Sequence, residues 1–172
     1  MVNEKKRPII HIPYSILEKL LEVTAALGII INLIILIKYF SMLPNTIPTH
    51  FDAAGTPDNW GSKGALLILP IISFALYTLL TLLSRFPHIY NYLTEITDEN
   101  AKAQYHNART LMICLKTEII FTFSYIQWLT IAVALGKANG LGPAFIIIFL
   151  AAIFGTIGYY IYRSIKLNKN GM

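Results

Sequence analysis

The hydrophobic residues of this chain fall into four long blocks separated by polar segments, and they show no sustained helical or strand period. The blocks cover about residues 23–40, 65–83, 110–135 and 143–162. Each is close to or above the roughly 20 residues that an α-helix needs to cross the hydrocarbon core of a bilayer. The pattern predicts an all-α membrane protein in which residues 23–162 form one domain of four transmembrane helices.

The segments at the two ends of the chain are polar and basic. Residues 1–22 combine a basic N-terminus with the stretch Pro13 to Glu22, whose apolar residues fall on one helical face and whose charged residues fall on the other. This arrangement predicts an interfacial helix that leads into the first span. Residues 163–172 are expected to form a cytoplasmic tail.

Composition agrees with a membrane protein, because 55% of the residues are hydrophobic and only 13% are charged. The formal net charge is +5. The basic residues of the chain flank the apolar blocks, where such residues set the topology and contact anionic lipid. The expected partner is therefore the lipid bilayer and not nucleic acid. The sequence predicts no cofactor.

The distribution of Lys and Arg predicts the orientation of the four spans. One side of the membrane would carry Lys38, Lys63 and Lys137. The other side would carry ten basic residues: Lys5, Lys6, Arg7, Lys19, Arg85, Lys102, Arg109, Arg163, Lys166 and Lys169. Because basic residues accumulate on the cytoplasmic side, we expect a multi-pass protein of the cell membrane with both termini in the cytoplasm.

The segment between the first two spans, residues 43–63, has the composition of an ordered loop. Pro44 and Pro48 fix the backbone and exclude a continuous helix. Gly55 and Gly61 allow positive φ angles, and the Asx residues between them favour turns. We therefore expect an ordered extracytoplasmic loop between helices 1 and 2.

The same segment carries the pattern L-P-x-x-I-P-x-H-F-x-x-x-G-x-P-D-x-W-G-S-K, from Leu43 to Lys63. This pattern resembles the signature of an uncharacterised bacterial membrane-domain family. That domain also forms the N-terminal part of Sdp-type immunity proteins, which protect a producer cell from its own secreted peptide toxin and continue into further transmembrane helices. The resemblance implies a bacterial integral membrane protein that binds a peptide toxin or a lipid at this loop.

Five residues of the loop are candidates for ligand binding: His50, Asp52, Asp58, Trp60 and Lys63. Lys63 falls in the first turn of the second span, where the positive end of the helix dipole disfavours a cation. We therefore expect a nearby anion, either Asp58, Asp52 or an acidic ligand. A solvated lysine that snorkels to the interface is the alternative.

A metal site or acid–base chemistry at this loop is a second interpretation. His50 and Asp52 lie two residues apart and share a side of an extended segment. With Asp58 they are a weak candidate for a small metal site, or for acid–base catalysis. The structural alternatives are a packed His50, a turn-forming Asp58 and a Trp60 that belongs to the outer aromatic belt.

Polar residues inside the spans form a second group of candidates. Glu118 falls about 12 Å along the third span, where an ionised side chain is rare, so it needs a hydrogen-bond partner or a proton. Asn32, Tyr77 and Tyr125 are the expected donors to Glu118. Lys116 is expected to snorkel to the cytoplasm, since it lies on another face of the helix.

These observations leave three hypotheses for function. The leading one is a non-enzymatic protein that binds a ligand at its extracytoplasmic loop. The alternatives are a membrane-embedded enzyme that uses His50, Asp52 and Asp58, and a small transporter that depends on Glu118. The spacing of Ala151 and Gly155 in the fourth span suits close helix packing within one chain or in a homo-oligomer.

Overall fold

The computed structural model of the chain describes residues 7–169. Lys5 and Lys6 of the predicted basic N-terminus, and residues 170–172 of the predicted tail, lie outside the described residues. The elements in chain order are α1 (Ile16–Phe40), β1 (Thr46–Phe51), β2 (Pro57–Ser62), a 3₁₀ turn (Lys63–Leu67), α2 (Ile68–Leu83), a second 3₁₀ turn (Pro87–Ile89), α3 (Ala101–Ala134) and α4 (Phe145–Lys169).

The four predicted helices are confirmed. Four helical segments are each long and apolar enough to cross a membrane: Ile16–Phe40, Lys63–Leu83, Ala101–Ala134 and Phe145–Asn168. The all-α description is incomplete, because β1 and β2 pair as a small antiparallel sheet between α1 and α2. The prolines and glycines that exclude a helix there are also compatible with a β-hairpin.

Helix α1 is one continuous element, so the predicted interfacial helix of residues 13–22 is not separate from the first span. Ser15 begins it with a capping box: the Glu18 N–H donates to Ser15 Oγ at 3.2 Å, and the Ser15 N–H donates to Glu18 Oε2 at 2.8 Å. These two bonds satisfy backbone and side-chain groups at the exposed start of the helix. No proline or glycine then interrupts the helix before Gly28.

Helix α3 is the centre of the bundle, and it packs against the other three helices. Its 34 residues extend over about 51 Å at 1.5 Å per residue, well beyond the roughly 30 Å of a hydrocarbon core. Helix α4 also continues past its predicted end near Tyr162, so the described part of the predicted tail is helical.

The loops gather at two opposite ends of the bundle. The hairpin β1–β2 meets the α3–α4 loop, residues 135–144, at what we call the hairpin end. Residues 7–14, the connection 84–100 and the last turns of α4 meet at the terminal end. When four consecutive helices all cross a membrane, successive connections lie on opposite sides of it, as the two groups of loops do here.

The connection 84–100 is held by two half-buried tyrosines at the terminal end. The Tyr90 hydroxyl donates to the Leu83 carbonyl at 2.8 Å, and the Tyr92 hydroxyl donates to the Pro87 carbonyl at 2.7 Å. Burial raises the pKa of both tyrosines far above the usual value. The two phenol hydrogen bonds keep the connection in place.

The outward surfaces of the helices are apolar. Large side chains such as Ile34 on α1, Phe74 on α2 and Phe154 on α4 are exposed. A contiguous surface of this kind on a soluble monomer would be unusual, whereas lipid contact requires it. Helix α4 is the least enclosed, with 6% of its most apolar stretch buried against 28% for α1. These features indicate a multi-pass membrane protein.

Candidate functional site

The hairpin is closed by a turn built around Asp52. Its Oδ1 accepts hydrogen bonds from the backbone N–H groups of Ala54 at 2.9 Å and Thr56 at 2.8 Å. The Asp52 N–H donates to the Thr56 carbonyl at 2.9 Å, and Gly55 adopts a φ of 77° that favours glycine. Asp52 is therefore a turn residue whose acceptor is committed to the backbone.

The tip of the hairpin is clamped against the α3–α4 loop. The Leu141 N–H donates to the Gly55 carbonyl at 2.7 Å. A Cβ atom at Gly140 would lie 2.0 Å from the Gly55 oxygen, and one at Gly55 would lie 2.6 Å from the Gly142 oxygen. Only glycine at positions 55 and 140 permits this approach of two backbones, and the contact fixes the hairpin to the bundle.

The hairpin carries three exposed candidate residues, His50, Asp58 and Trp60, and we call this group of side chains the hairpin face. The His50 Nδ1 atom lies 2.5 Å from Asp58 Oδ1, with 66% and 44% of the two side chains exposed. Trp60 is 52% exposed and lies two residues from Asp58 on β2, so both side chains point to the same side of the strand. A shift of register on either side of His50 brings it opposite Asn59.

Of the charged candidates of the loop, the structure brings only His50 and Asp58 together, and the anion expected beside Lys63 is not a loop carboxylate. His50 and Asp58 do meet, but Asp52 is occupied by its turn. Lys63 Nζ instead donates to the Leu43 carbonyl at 3.4 Å and lies 5.3 Å from the centre of the Phe40 ring. Since α1 ends at Phe40, the negative end of its dipole stabilises the ammonium group without a carboxylate.

The weak metal candidate of the loop does not converge either. Among residues 7–169, no group of three or more His, Cys, Asp or Glu side chains is placed to hold a metal ion. His50 and Asp58 supply two ligand atoms, and the Asp52 acceptor already takes two backbone hydrogen bonds.

Glu118 is partnered by a residue that the sequence did not indicate. The Thr156 hydroxyl of α4 donates to Glu118 Oε1 at 2.5 Å, while Oε2 is buried and has no hydrogen-bond partner among the described residues. The expected donors Asn32, Tyr77 and Tyr125 are engaged elsewhere, and the Tyr125 hydroxyl donates to the Leu141 carbonyl at 3.2 Å.

Glu118 also lines an apolar groove of about 660 Å³ between α3 and α4. The groove lies in the half of the bundle that faces the hairpin end. Its border nearest that end is formed by Leu141, Gly142 and Pro143. The volume is within the usual range for sites that bind small molecules. The clamp that holds the hairpin therefore also borders this groove.

The expectation that Lys116 snorkels to the cytoplasm is wrong. Lys116 is 1% exposed, and its Nζ donates to Glu22 Oε1 at 2.6 Å and to the Thr81 hydroxyl at 2.8 Å. The ammonium group also lies 4.6 Å from the centre of the Tyr77 ring. A paired lysine keeps its hydrogen bonds inside the bundle, so it gains nothing by reaching for water.

Asn32 joins α1 to α3 and makes no contact with Glu118. Its Nδ2 donates to the Ser124 hydroxyl at 3.3 Å, and Gln127 Nε2 donates to the Asn32 carbonyl at 2.9 Å. Polar side chains that bond across helices in this way hold helix pairs together inside a membrane.

A second buried ion pair was missed by the sequence reasoning. Arg109 Nε and Nη2 donate to the two oxygens of Glu18 at 2.9 and 3.0 Å, and its remaining donors bind the carbonyls of Ile12 and Pro13. Spacing could have revealed both pairs. Glu18 and Glu22 are four residues apart on one face of α1, and Arg109 and Lys116 are seven apart on one face of α3.

Parts of the chain are similar to known sequences. Residues 27–74 match the family model described as Domain of unknown function (DUF1648), which covers the second half of α1, the hairpin and the beginning of α2. An uncharacterized protein of Archaeoglobus fulgidus is 45% identical over 60 residues, covering 30% of this chain and 33% of that protein. The chain thus spans about a third of the length of this relative. No solved structure matches the chain.

Proposed function

We propose that this protein binds a peptide ligand at the hairpin face, on the extracytoplasmic side of the cell membrane, in the manner of an immunity protein. The observation that carries the proposal is the exposure of Trp60 on β2, two residues from the Asp58 that pairs with His50. Tryptophan is enriched among the few residues that contribute most of the binding energy at protein interfaces.

The construction of the hairpin supports a binding role. Its tip is fixed through Gly55 and Leu141, and at its base the Lys63 N–H donates to the Asn45 carbonyl at 2.9 Å. A face held at both ends loses little conformational freedom when a ligand arrives, and such preorganisation increases affinity.

The charge of the hairpin face favours a peptide over a phospholipid head group. Asp58 repels a phosphate, whereas it attracts a basic side chain or an N–H donor of a peptide. Trp60 offers a large amphipathic surface that suits an apolar peptide side chain. The resemblance of residues 43–63 to Sdp-type immunity proteins points to a secreted peptide toxin as the ligand.

The orientation of the chain is part of the proposal. Of the described basic residues, those of the terminal end outnumber Lys38, Lys63 and Lys137 of the hairpin end, which favours a cytoplasmic terminal end. In a Cys114→Ala background, a cysteine at the exposed position Thr56 should react with an impermeant thiol reagent in intact cells. A cysteine at the exposed position Leu93 should react only after the membrane is opened. The reverse order of labelling would place the hairpin face in the cytoplasm.

The functional test is protection of a sensitive bacterium from an Sdp-type toxin peptide. Cells that express this chain should survive, and the purified protein in nanodiscs should bind the peptide. Trp60→Ala should weaken that binding about thirtyfold or more, because truncation of a central aromatic residue costs about 2 kcal/mol or more. Trp128→Ala is the matched control, since Trp128 is 51% exposed but belongs to α3 and not to the hairpin.

Two results would contradict the proposal. One is a protein that is inserted and folded but neither binds the peptide nor protects the cells. The other is equal binding by Trp60→Ala and Trp128→Ala, which would place the ligand elsewhere. Saturable binding of phosphatidylglycerol vesicles by the hairpin face, with no binding of the peptide, would replace the peptide with a lipid.

The enzyme hypothesis receives less support from the geometry. His50 and Asp58 form a pair, but the third residue of the hypothesis, Asp52, is a turn residue. Stoichiometric metal in the purified protein would support the enzyme hypothesis. The transporter hypothesis depends on Glu118, whose described partner is the Thr156 hydroxyl of α4.

A further inference from the structure

The terminal end of the bundle contains a pocket of about 600 Å³ between the segment that precedes α1 and the connection that follows α2. One wall is formed by residues between Ile9 and Tyr14, and the other is formed by residues 85–88. Arg109 of α3 also lines the pocket. The volume is within the usual range for sites that bind small molecules.

Hydrogen bonds hold both walls of this pocket in place. Arg109 Nη1 donates to the Ile12 carbonyl at 2.7 Å, and Arg109 Nη2 donates to the Pro13 carbonyl at 2.9 Å. Arg7 Nη1 donates to the His88 carbonyl at 3.3 Å, which joins the first wall to the second. The pocket is therefore formed before a ligand arrives, and such preorganisation increases affinity.

The pocket is positively charged. Its basic residues are Arg85, Arg109, His11 and His88, and none of the described residues that line it is acidic. Glu18 pairs with Arg109, so the charge of that guanidinium is balanced. Arg85 is exposed, and its side chain makes no hydrogen bond or ion pair within residues 7–169. The unbalanced cation of the pocket is therefore Arg85.

Arg85 is not needed to complete α2, although a cation is favoured at the C-terminal end of a helix. The carbonyls of residues 80–83 already accept hydrogen bonds from the backbone of residues 84–86 and from the Ser84 hydroxyl. A guanidinium group carries five N–H donors in a planar fork that matches a phosphate. All five donors of Arg85 are available to an anion that enters the pocket.

Exposed apolar side chains border the same pocket. Ile9 is 80% exposed, and Phe86, which is 48% exposed, lies shortly after Leu83, the last residue of α2. The end of a span lies at the membrane interface, where apolar side chains contact lipid. A cation beside an apolar surface at this level is complementary to a lipid with an anionic head group.

We propose that this pocket binds one anionic phospholipid. The Arg85 guanidinium donates hydrogen bonds to the phosphate, His11 and His88 supply further N–H donors, and the acyl chains lie along Ile9 and Phe86. A phosphatidylcholine head group carries its own cation, which Arg85 repels, so it binds more weakly. The pocket and the hairpin face lie at opposite ends of the bundle, so failure of this proposal would leave the proposed function unaffected.

The test is native mass spectrometry of the full chain in detergent during titration with dioleoyl phosphatidylglycerol. We expect saturable occupancy by one lipid per chain. Dioleoyl phosphatidylcholine, which has the same acyl chains and no net charge, should bind about tenfold more weakly. Arg85→Gln should weaken the binding of phosphatidylglycerol about tenfold, because it removes charge-assisted hydrogen bonds to the phosphate. Arg85→Lys keeps the charge and should lose less.

Arg163→Gln is the matched control, since it removes the same charge at the terminal end and Arg163 lines a different pocket. It should bind phosphatidylglycerol like the parent. Equal weakening by Arg85→Gln and Arg163→Gln would show diffuse attraction between charges and would overturn the proposal. Equal binding of the two lipids by the parent protein, a comparison that needs no variant, would also overturn it. So would displacement of the lipid by an equal concentration of soluble glycerol phosphate, because the site would then take a free phosphate and not a lipid.

Discussion

Helix α3 has two very different neighbours. Against α1 it places two buried ion pairs, Glu18–Arg109 and Glu22–Lys116, in which every acid meets a base. Against α4 it places Glu118, an acid that meets one hydroxyl and lines an open groove. The first interface is closed and electrically balanced, whereas the second is partly open and carries an unbalanced acid.

The difference shows that a buried glutamate takes its role from the facing helix. Glu22 is paired because Lys116 meets it, whereas Glu118 keeps one oxygen without a partner among the described residues, because α4 offers it only the Thr156 hydroxyl. Gly28 marks the same contrast in packing: a Cβ there would lie 3.0 Å from Ile120 Cγ2, while one at Gly155 of α4 meets nothing within 4 Å among the described residues.

The largest effect should come from breaking the α1–α3 ion pair. Arg109→Met leaves Glu18 buried without its partner, and such a loss typically costs about 3–5 kcal/mol. Thermal unfolding in detergent measures the change, with Lys102→Met, an exposed position of the same helix, as the control. The double variant Glu18→Gln with Arg109→Met should recover part of the loss, and a double variant worse than Arg109→Met would refute the ion-pair account.

A smaller effect is expected when one glycine of α1 or of α4 is replaced by leucine. Gly28→Leu overfills the contact with Ile120 and should destabilise the protein by about 1–3 kcal/mol. Gly155→Leu meets open space and should be neutral or stabilising by up to about 1 kcal/mol, since glycine is a poor helix former. The same unfolding assay compares the two, and equal losses would mean that a second molecule covers the face of α4 that carries Gly155.

The smallest effect concerns Glu118 itself. Glu118→Gln keeps an acceptor for the Thr156 hydroxyl and should change the free energy of unfolding by less than about 0.5 kcal/mol. Glu118→Ala removes that acceptor and should cost about 1–2 kcal/mol. A Gln variant as damaged as the Ala variant would show that Glu118 is ionised and held by a cation, which would remove the contrast with Glu22.

The sequence predicted the four helices because a membrane span requires an uninterrupted apolar block, and that requirement is visible without a neighbour. It also grouped His50 with Asp58 as candidates of one loop, and these two side chains are in contact. It did not predict the hairpin, because proline and glycine between Leu43 and Lys63 are as compatible with an irregular loop as with two paired strands.

The partners of the buried charges could be predicted only in part. Lys116 considered on its own helix is free to snorkel, and only the facing Glu22 changes that outcome. The spacing of Glu18 with Glu22 is a usable signal. Thr156 offers none, since a threonine inside a helix ordinarily bonds to its own backbone carbonyl.

The clamp between Gly55 and Leu141 also bears on how the protein is made. The two residues are 86 positions apart (141 − 55), so at 5–20 residues per second the hairpin leaves the ribosome about 4–17 s before its partner loop. During that interval the bonds of the Asp52 turn and the packing of Ile47 against Leu36 and Leu66 can already shape the hairpin. The clamp at Gly55 is added only after the α3–α4 loop has been made.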